Sequence, residues 1–186
     1  MATALVVGAG VSGLATALRL TRSAWDVVVL DHGPHHETAP ITGPDRHAAK
    51  RLAALPCPLH YETRRSTVTA LRPDRFGVTV SFHDHEDEWF DVVVCAQPCC
   101  AAERLPGLRL LSWSRDHVAL LYRAVQDTGI PLCAAELLAD AFDIHTDDHA
   151  ALAWWETTLK PHVRQASPCR QLDRTSPGNH FEAPRR

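Results

Sequence analysis

Apolar positions along this chain keep two rhythms, one of about 3.6 residues and one of two, and their order predicts a mixed α/β fold. Residues 4–7 are a short apolar run that reads as a buried strand. Residues 11–22 follow with a helical pattern that offers Leu14, Ala17, Leu18 and Leu20 to one face. Residues 27–30 are a second buried strand. A loop rich in Pro and Gly covers 32–44, and 45–55 reads as a helix that Asp45 caps and Pro56 ends. Residues 66–71 and 77–82 alternate cleanly, with Val78, Val80 and Phe82 on one face. Residues 89–96 begin as a partner of these strands and end as a continuous apolar run. The connectors at 72–76 and 83–88 are short enough for hairpins, so a small antiparallel meander is expected, feeding a strand that rejoins a parallel sheet.

The later pattern is plainer. Short strands are expected at 108–111 and 117–121, and a turn or loop at 122–131. A helix is expected at 132–142, with Leu138 and Phe142 on one face. A last helix starts with Thr146 as N-cap and carries Leu152, Trp155, Leu159 and Val163 as its stripe. Pro161 should kink it. Residues 1–166 read as one domain and 167–186, rich in Pro, Gly and charge, as a disordered tail.

The first strand–helix–strand unit carries candidate chemistry. Gly8, Gly10 and Gly13 stand in GxGxxG spacing between the strand and the helix. Gly8 allows a tight turn, Gly10 lets backbone approach a pyrophosphate, and Gly13 allows close helix–strand packing. The helix start offers free N–H groups and a partial positive charge to phosphates. Asp31 stands 21 positions after Gly10, at the spacing where a carboxylate accepts bonds from a ribose 2′-hydroxyl. That charge disfavours a 2′-phosphate, and so NADP, in this site. Ala24 stands where a glycine would close the helix in the left-handed region.

Composition narrows the classes. A net charge of −3 gives no basic field for nucleic acid or an anionic membrane. The six cysteines include no CxxC pair, so neither a zinc site nor a disulfide framework is expected, and the compartment reads as reducing and cytoplasmic. The apolar start lacks a basic leader and is broken by three glycines, so it is not a signal peptide. His35, His36 and His47 show no ligand spacing and read as a solvated loop. The run His83-Asp-His-Glu-Asp-Glu88 reads as a charged hairpin tip rather than a metal site. Trp154-Trp155 reads as packing.

The order of parts resembles the FAD-binding half of the flavoprotein monooxygenases, the aromatic-ring hydroxylase-like family. The likeness rests on the glycine fingerprint and on Thr67-Val-Thr-Ala-Leu, Gly77-Val-Thr-Val-Ser-Phe and Glu88-Trp-Phe-Asp-Val-Val-Val. It also rests on Trp113-Ser-Arg-Asp-His-Val-Ala-Leu-Leu and on the closing helices Ala134-Ala-Glu-Leu-Leu-Ala-Asp-Ala-Phe and Asp148-His-Ala-Ala-Leu-Ala-Trp-Trp-Glu. It implies a Rossmann-like FAD/NAD(P)-binding domain, with FAD as cofactor and NAD(P)H as electron donor for hydroxylation of an unidentified small molecule. It places Gly8, Ala9, Gly10, Val11, Ser12, Gly13, Asp31, His32, Val68 and Ala96 at the cofactor. It assigns no catalytic residue, although His117 and Tyr122 fall near the expected flavin side. Three features depart from the family. Gln97-Pro98 stands where it has Asp-Gly, and Tyr122-Arg123 where it has Gly-Asp. Only a short connection joins Gln97 to Trp113, where the family carries a substrate-binding sheet. A non-catalytic dinucleotide-binding module, or a degenerate fragment of such an enzyme, is therefore the alternative reading. A truncated sheet would leave an edge that a second copy covers, which makes a homodimer the assembly to consider.

Overall fold

Residues 1–31, 62–105, 113–122 and 131–166 are described by a computed structural model of the chain. The first unit folds as the apolar pattern predicts. Strand β1 (Thr3–Val7) leads into helix α1 (Val11–Arg22) and returns as β2 (Asp26–Leu30). The helix expected at 45–55 and the strand expected at 108–111 lie outside the described residues, as do the 32–44 loop and the 167–186 tail.

Next come β3 (Glu62–Arg64), β4 (Val68–Pro73), β5 (Val78–Phe82), β6 (Glu88–Phe90) and β7 (Val92–Cys95). Helix α2 (Cys100–Glu103), β8 (Ser114–Arg115), β9 (Val118–Ala119), α3 (Pro131–Ile144) and α4 (Asp148–Ala166) complete the order. The main sheet runs β3-β2-β1-β7-β9-β8, parallel except for the β8–β9 hairpin. Strands β4, β5 and β6 form the separate antiparallel meander.

Alternation along the central strands divides the core into two layers. Ala4, Val6, Val27, Val29, Val92 and Val94 face Ala17 and Leu20 of α1, Leu138 of α3, and Trp155 and Leu159 of α4. Leu5, Val7, Val28, Leu30, Val93 and Cys95 face the meander residues Val68, Leu71, Val80 and Phe82. The expected break in 89–96 falls at Asp91, where the chain leaves the meander and enters the parallel sheet. Trp155 is fully buried and its Nε1–H donates to the Ala134 carbonyl at 3.0 Å, so packing accounts for it.

Several boundaries differ from expectation. The stretch 117–121 is a strand only at Val118–Ala119, because its first residue lies in the two-residue turn of a hairpin. Asp116 (φ 42°) and His117 (φ 64°) both take positive φ, as a tight hairpin turn of this hand needs. The N-cap of α4 is Asp147, not Thr146: its Oδ1 accepts the amides of His149 (2.8 Å) and Ala150 (3.3 Å). Helix α4 runs through Pro161 to Ala166. Among the described residues no helix is long and apolar enough to cross a membrane.

Candidate functional site at the carboxyl end of the sheet

The parallel register sets the site. Val7 of β1 pairs with Leu30 of β2 on one side and with Cys95 of β7 on the other. The residues that follow these three, Gly8, Asp31 and Ala96, therefore emerge side by side at one end of the sheet. The Gly8 amide donates to the Leu30 carbonyl at 2.9 Å. The amides of Ala96 and Gln97 both donate to the Val7 carbonyl, at 2.9 and 3.2 Å. The Asp31 amide donates to Arg64 of β3 at 2.9 Å, so a third parallel strand fixes the backbone of the acid.

Two of the glycines are required by geometry. Gly8 has φ +113°, a conformation that side chains oppose. A Cβ on Gly13 would stand 1.8 Å from the Gly8 carbonyl oxygen and 3.2 Å from the Ala96 Cβ. The helix thus meets the turn at a distance only a bare Cα permits. Gly10 differs: its φ of −75° is open to any residue, so its contribution is the missing side chain. It is the N-cap of α1, and no side chain caps the helix there. The first helical bond runs from the Leu14 amide to the Gly10 carbonyl at 2.9 Å, so the amides of Val11, Ser12 and Gly13 precede the ladder. The first turn carries no acidic residue to occupy that positive end. This arrangement can receive an anion through backbone donors.

The expected residues are only partly brought together. Ala9, Gly10 and the half-buried Asp31 lie at the turn, and Val11 and Ser12 are buried beside it. Val68 is buried between sheet and meander, in one cluster with Val7 and Leu30. His32 lies outside the described residues. Sequence reasoning missed the role of Gln97, which it noted only as a departure: its side-chain carbons lie 2.8–3.0 Å from the Cβ position of Gly8, directly over the turn.

His117 moves to the other end of the molecule. It immediately precedes β9, and a parallel strand begins at the end of the sheet opposite the glycine turn. There its Nδ1 is 3.4 Å from Asp148 and its ring is 4.5 Å from that of His149. Tyr122 is buried, and its hydroxyl donates to Glu103 at 2.6 Å. The acids of the 83–88 stretch serve local pairs: Ser66 with Asp84, Arg72 with Asp87, and Arg64 with Glu88 at 2.6 Å.

Comparison with known proteins follows the fold. A family model described as FAD dependent oxidoreductase matches residues 3–176. The chain is similar to the solved structure of tetracycline destructase Tet(51), with TM-score 0.71 and 11% identity over 89% of this chain and 88% of that one. It is also similar to tetracycline destructase Tet(55), with TM-score 0.68 and 12% identity over 87% of this chain and 86% of that one. At such identities the likeness speaks for the fold. No curated protein matches the sequence.

Proposed function

The chain belongs to the FAD dependent oxidoreductase family, and from that premise we propose that it holds FAD by the ADP half and acts as an oxidoreductase of the flavoprotein monooxygenase type. One observation carries the reading: α1 meets Gly8 so closely that Gly13 has no room for a Cβ, while no side chain caps the helix. The glycine turn, with Gln97 packed against Gly8, and the first-turn amides, which no side chain among the described residues caps, fit a diphosphate. Asp31 fits a ribose hydroxyl as an acceptor. Gly8, Ala9, Gly10, Val11, Ser12 and Gly13 would hold the diphosphate, Asp31 and His32 the adenosine side, and Val68 and Ala96 the flanks. When bound, FAD supplies the redox chemistry; these residues bind and orient it. NAD(P)H is the electron donor in this reading, and the substrate a small organic molecule.

A second reading, a dinucleotide-binding module without turnover, is favoured by Gln97-Pro98, where the resembled family has Asp-Gly. Calorimetry with FAD, NAD and ADP tests the shared premise, which fails if none binds. A yellow protein whose flavin bleaches with NAD(P)H supports the enzyme; colourless protein that binds ADP supports the module. Asp31→Ala should weaken ADP-ribose binding about ten- to hundredfold, through loss of a charge-assisted hydrogen bond. Unchanged affinity removes Asp31 from the site.

A further inference from the structure

The main sheet has two edge strands, β8 and β3. At β8 the Ser114 amide donates to the Glu156 carboxylate at 3.1 Å, so helix α4 closes that edge. At β3 no strand, helix or side chain among the described residues takes the outward backbone groups. Which groups those are follows from the pairing with β2. The Arg64 carbonyl points at β2, where it accepts the Asp31 amide at 2.9 Å. Backbone groups alternate in direction along a strand, so Thr63 turns both its N–H and its C=O outward. Thr63 is itself exposed.

Glu62 and Arg64 stand on the face they share with Val28 and Leu30, their partners in the parallel register. There the Arg64 guanidinium reaches Glu62 at 2.7 Å and Glu88 of the meander at 2.6 Å. We propose that β3 is the contact between two copies of this chain, paired antiparallel about a two-fold axis at Thr63. This pairing stands whether or not the glycine turn holds FAD.

The order of charges selects a second copy. A two-fold axis at Thr63 sets Glu62 of one copy opposite Arg64 of the other, and the reverse. Four side chains then alternate in sign around the axis, and opposite charges directly across strands attract. Thr63 exchanges both N–H···O bonds with its copy, as a hydrogen-bonded antiparallel pair does. An edge carrying one sign of charge repels its own copy, which is a common defence of edge strands. This edge carries one charge of each sign, in an order that only an antiparallel copy matches. Three residues make a short contact, so the dimer is weak and depends on concentration.

The test is sedimentation equilibrium of the full chain from about 1 to 500 µM, the range a contact this small requires. The mean mass should rise toward that of two chains. Glu62→Arg and Arg64→Glu should each stay monomeric, because each sets like charges opposite one another. An equimolar mixture of these two variants should associate again, since the arginines of one meet the glutamates of the other. Two chains that had merely misfolded would not recover in this way. Thr63→Pro removes the outward N–H and no bond of the sheet, so it should weaken association at least about tenfold while circular dichroism stays unchanged. A parent that remains monomeric at the highest concentration overturns the proposal. So does a dimer that survives either charge reversal, or a mixture of the two that fails to associate.

Discussion

The two ends of the parallel sheet handle polar groups in opposite ways. At the amino end, carboxylates are tied to neighbouring donors. Asp91 accepts the Thr3 amide at 2.6 Å and the Thr3 hydroxyl at 2.9 Å, which fastens the start of β7 to the start of β1. Asp147 caps α4. At the carboxyl end the donors are backbone amides at a helix start that no side chain caps. Satisfied carboxylates hold elements together; amides between glycines that no side chain among the described residues caps leave capacity for a ligand. The difference assigns structure to one end and binding to the other, although both ends are polar.

The harshest way to break that division is Gly13→Ala. The new methyl would collide with a backbone oxygen, which cannot rotate aside, so strand end and helix must separate. We expect a cost of about 3 kcal/mol in urea unfolding and loss of ADP binding. Unchanged stability would show that the turn yields, and that close packing is not what glycine serves there.

Asp91→Ala asks the converse at the closed end. Loss of two charge-assisted hydrogen bonds at a half-buried position should cost about 2 kcal/mol, again read in urea, with ADP affinity unaltered. A parallel fall in affinity would mean that the ends are coupled, and the division fails.

Glu156, tied to Ser114 of the edge strand β8, adds a carboxylate whose bond depends on pH. Burial pushes its carboxyl up, but the Lys160 ammonium and the Ser114 donor outweigh burial and leave it below the ordinary value of 4.5. A carboxyl depressed in the folded state adds stability above its unfolded value, and that stability is lost as pH falls through the folded value. Glu156→Gln should therefore cost about 1 kcal/mol at neutral pH and flatten the decline below about pH 4.5. Thermal melts from pH 7 to pH 3 would measure both. An unaltered acid decline would place the titrating group elsewhere.

What could be read from sequence follows from what each element depends on. The glycine turn and its flanking strands were legible because their residue types are dictated locally, by φ at Gly8 and by contact at Gly13. The meander was legible because each strand buries one face, which leaves a period of two in 77–82. Strand β3 was not: Glu62, Thr63 and Arg64 are polar and largely exposed, and they are a strand because β2 offers an edge to pair with. The β8–β9 hairpin was hidden for a related reason, since its turn uses Asp116 and His117 where Asn-Gly would announce it. The place of His117, at the end of the sheet opposite the glycine turn, was not legible because a sequence gives no strand direction until the pairing with β7 is known. Gln97 was seen as a departure from a motif, but only packing reveals that it lies over Gly8.

The smallest expected effect lies at the far end of α1 and separates the ends most cleanly. The Trp25 amide donates to the Leu20 carbonyl and the Ala24 amide to the Thr21 carbonyl, both at 3.1 Å, the paired bonds of a helix closed by a left-handed residue. That residue is Ala24, at φ 63°. Its Cβ opposes the conformation by about 1 kcal/mol, partly offset in any exchange by glycine's larger unfolded-state entropy. Ala24→Gly should therefore stabilise the fold by about 0.5 kcal/mol, visible as a small rise in Tm. Helix α1 has 12 residues, so this site lies roughly 18 Å along the axis from the helix start, taking 1.5 Å per residue. ADP affinity should be the same in the variant and the parent. A gain in stability that came with altered affinity would mean that closure of α1 at the amino end governs the glycine turn at the other.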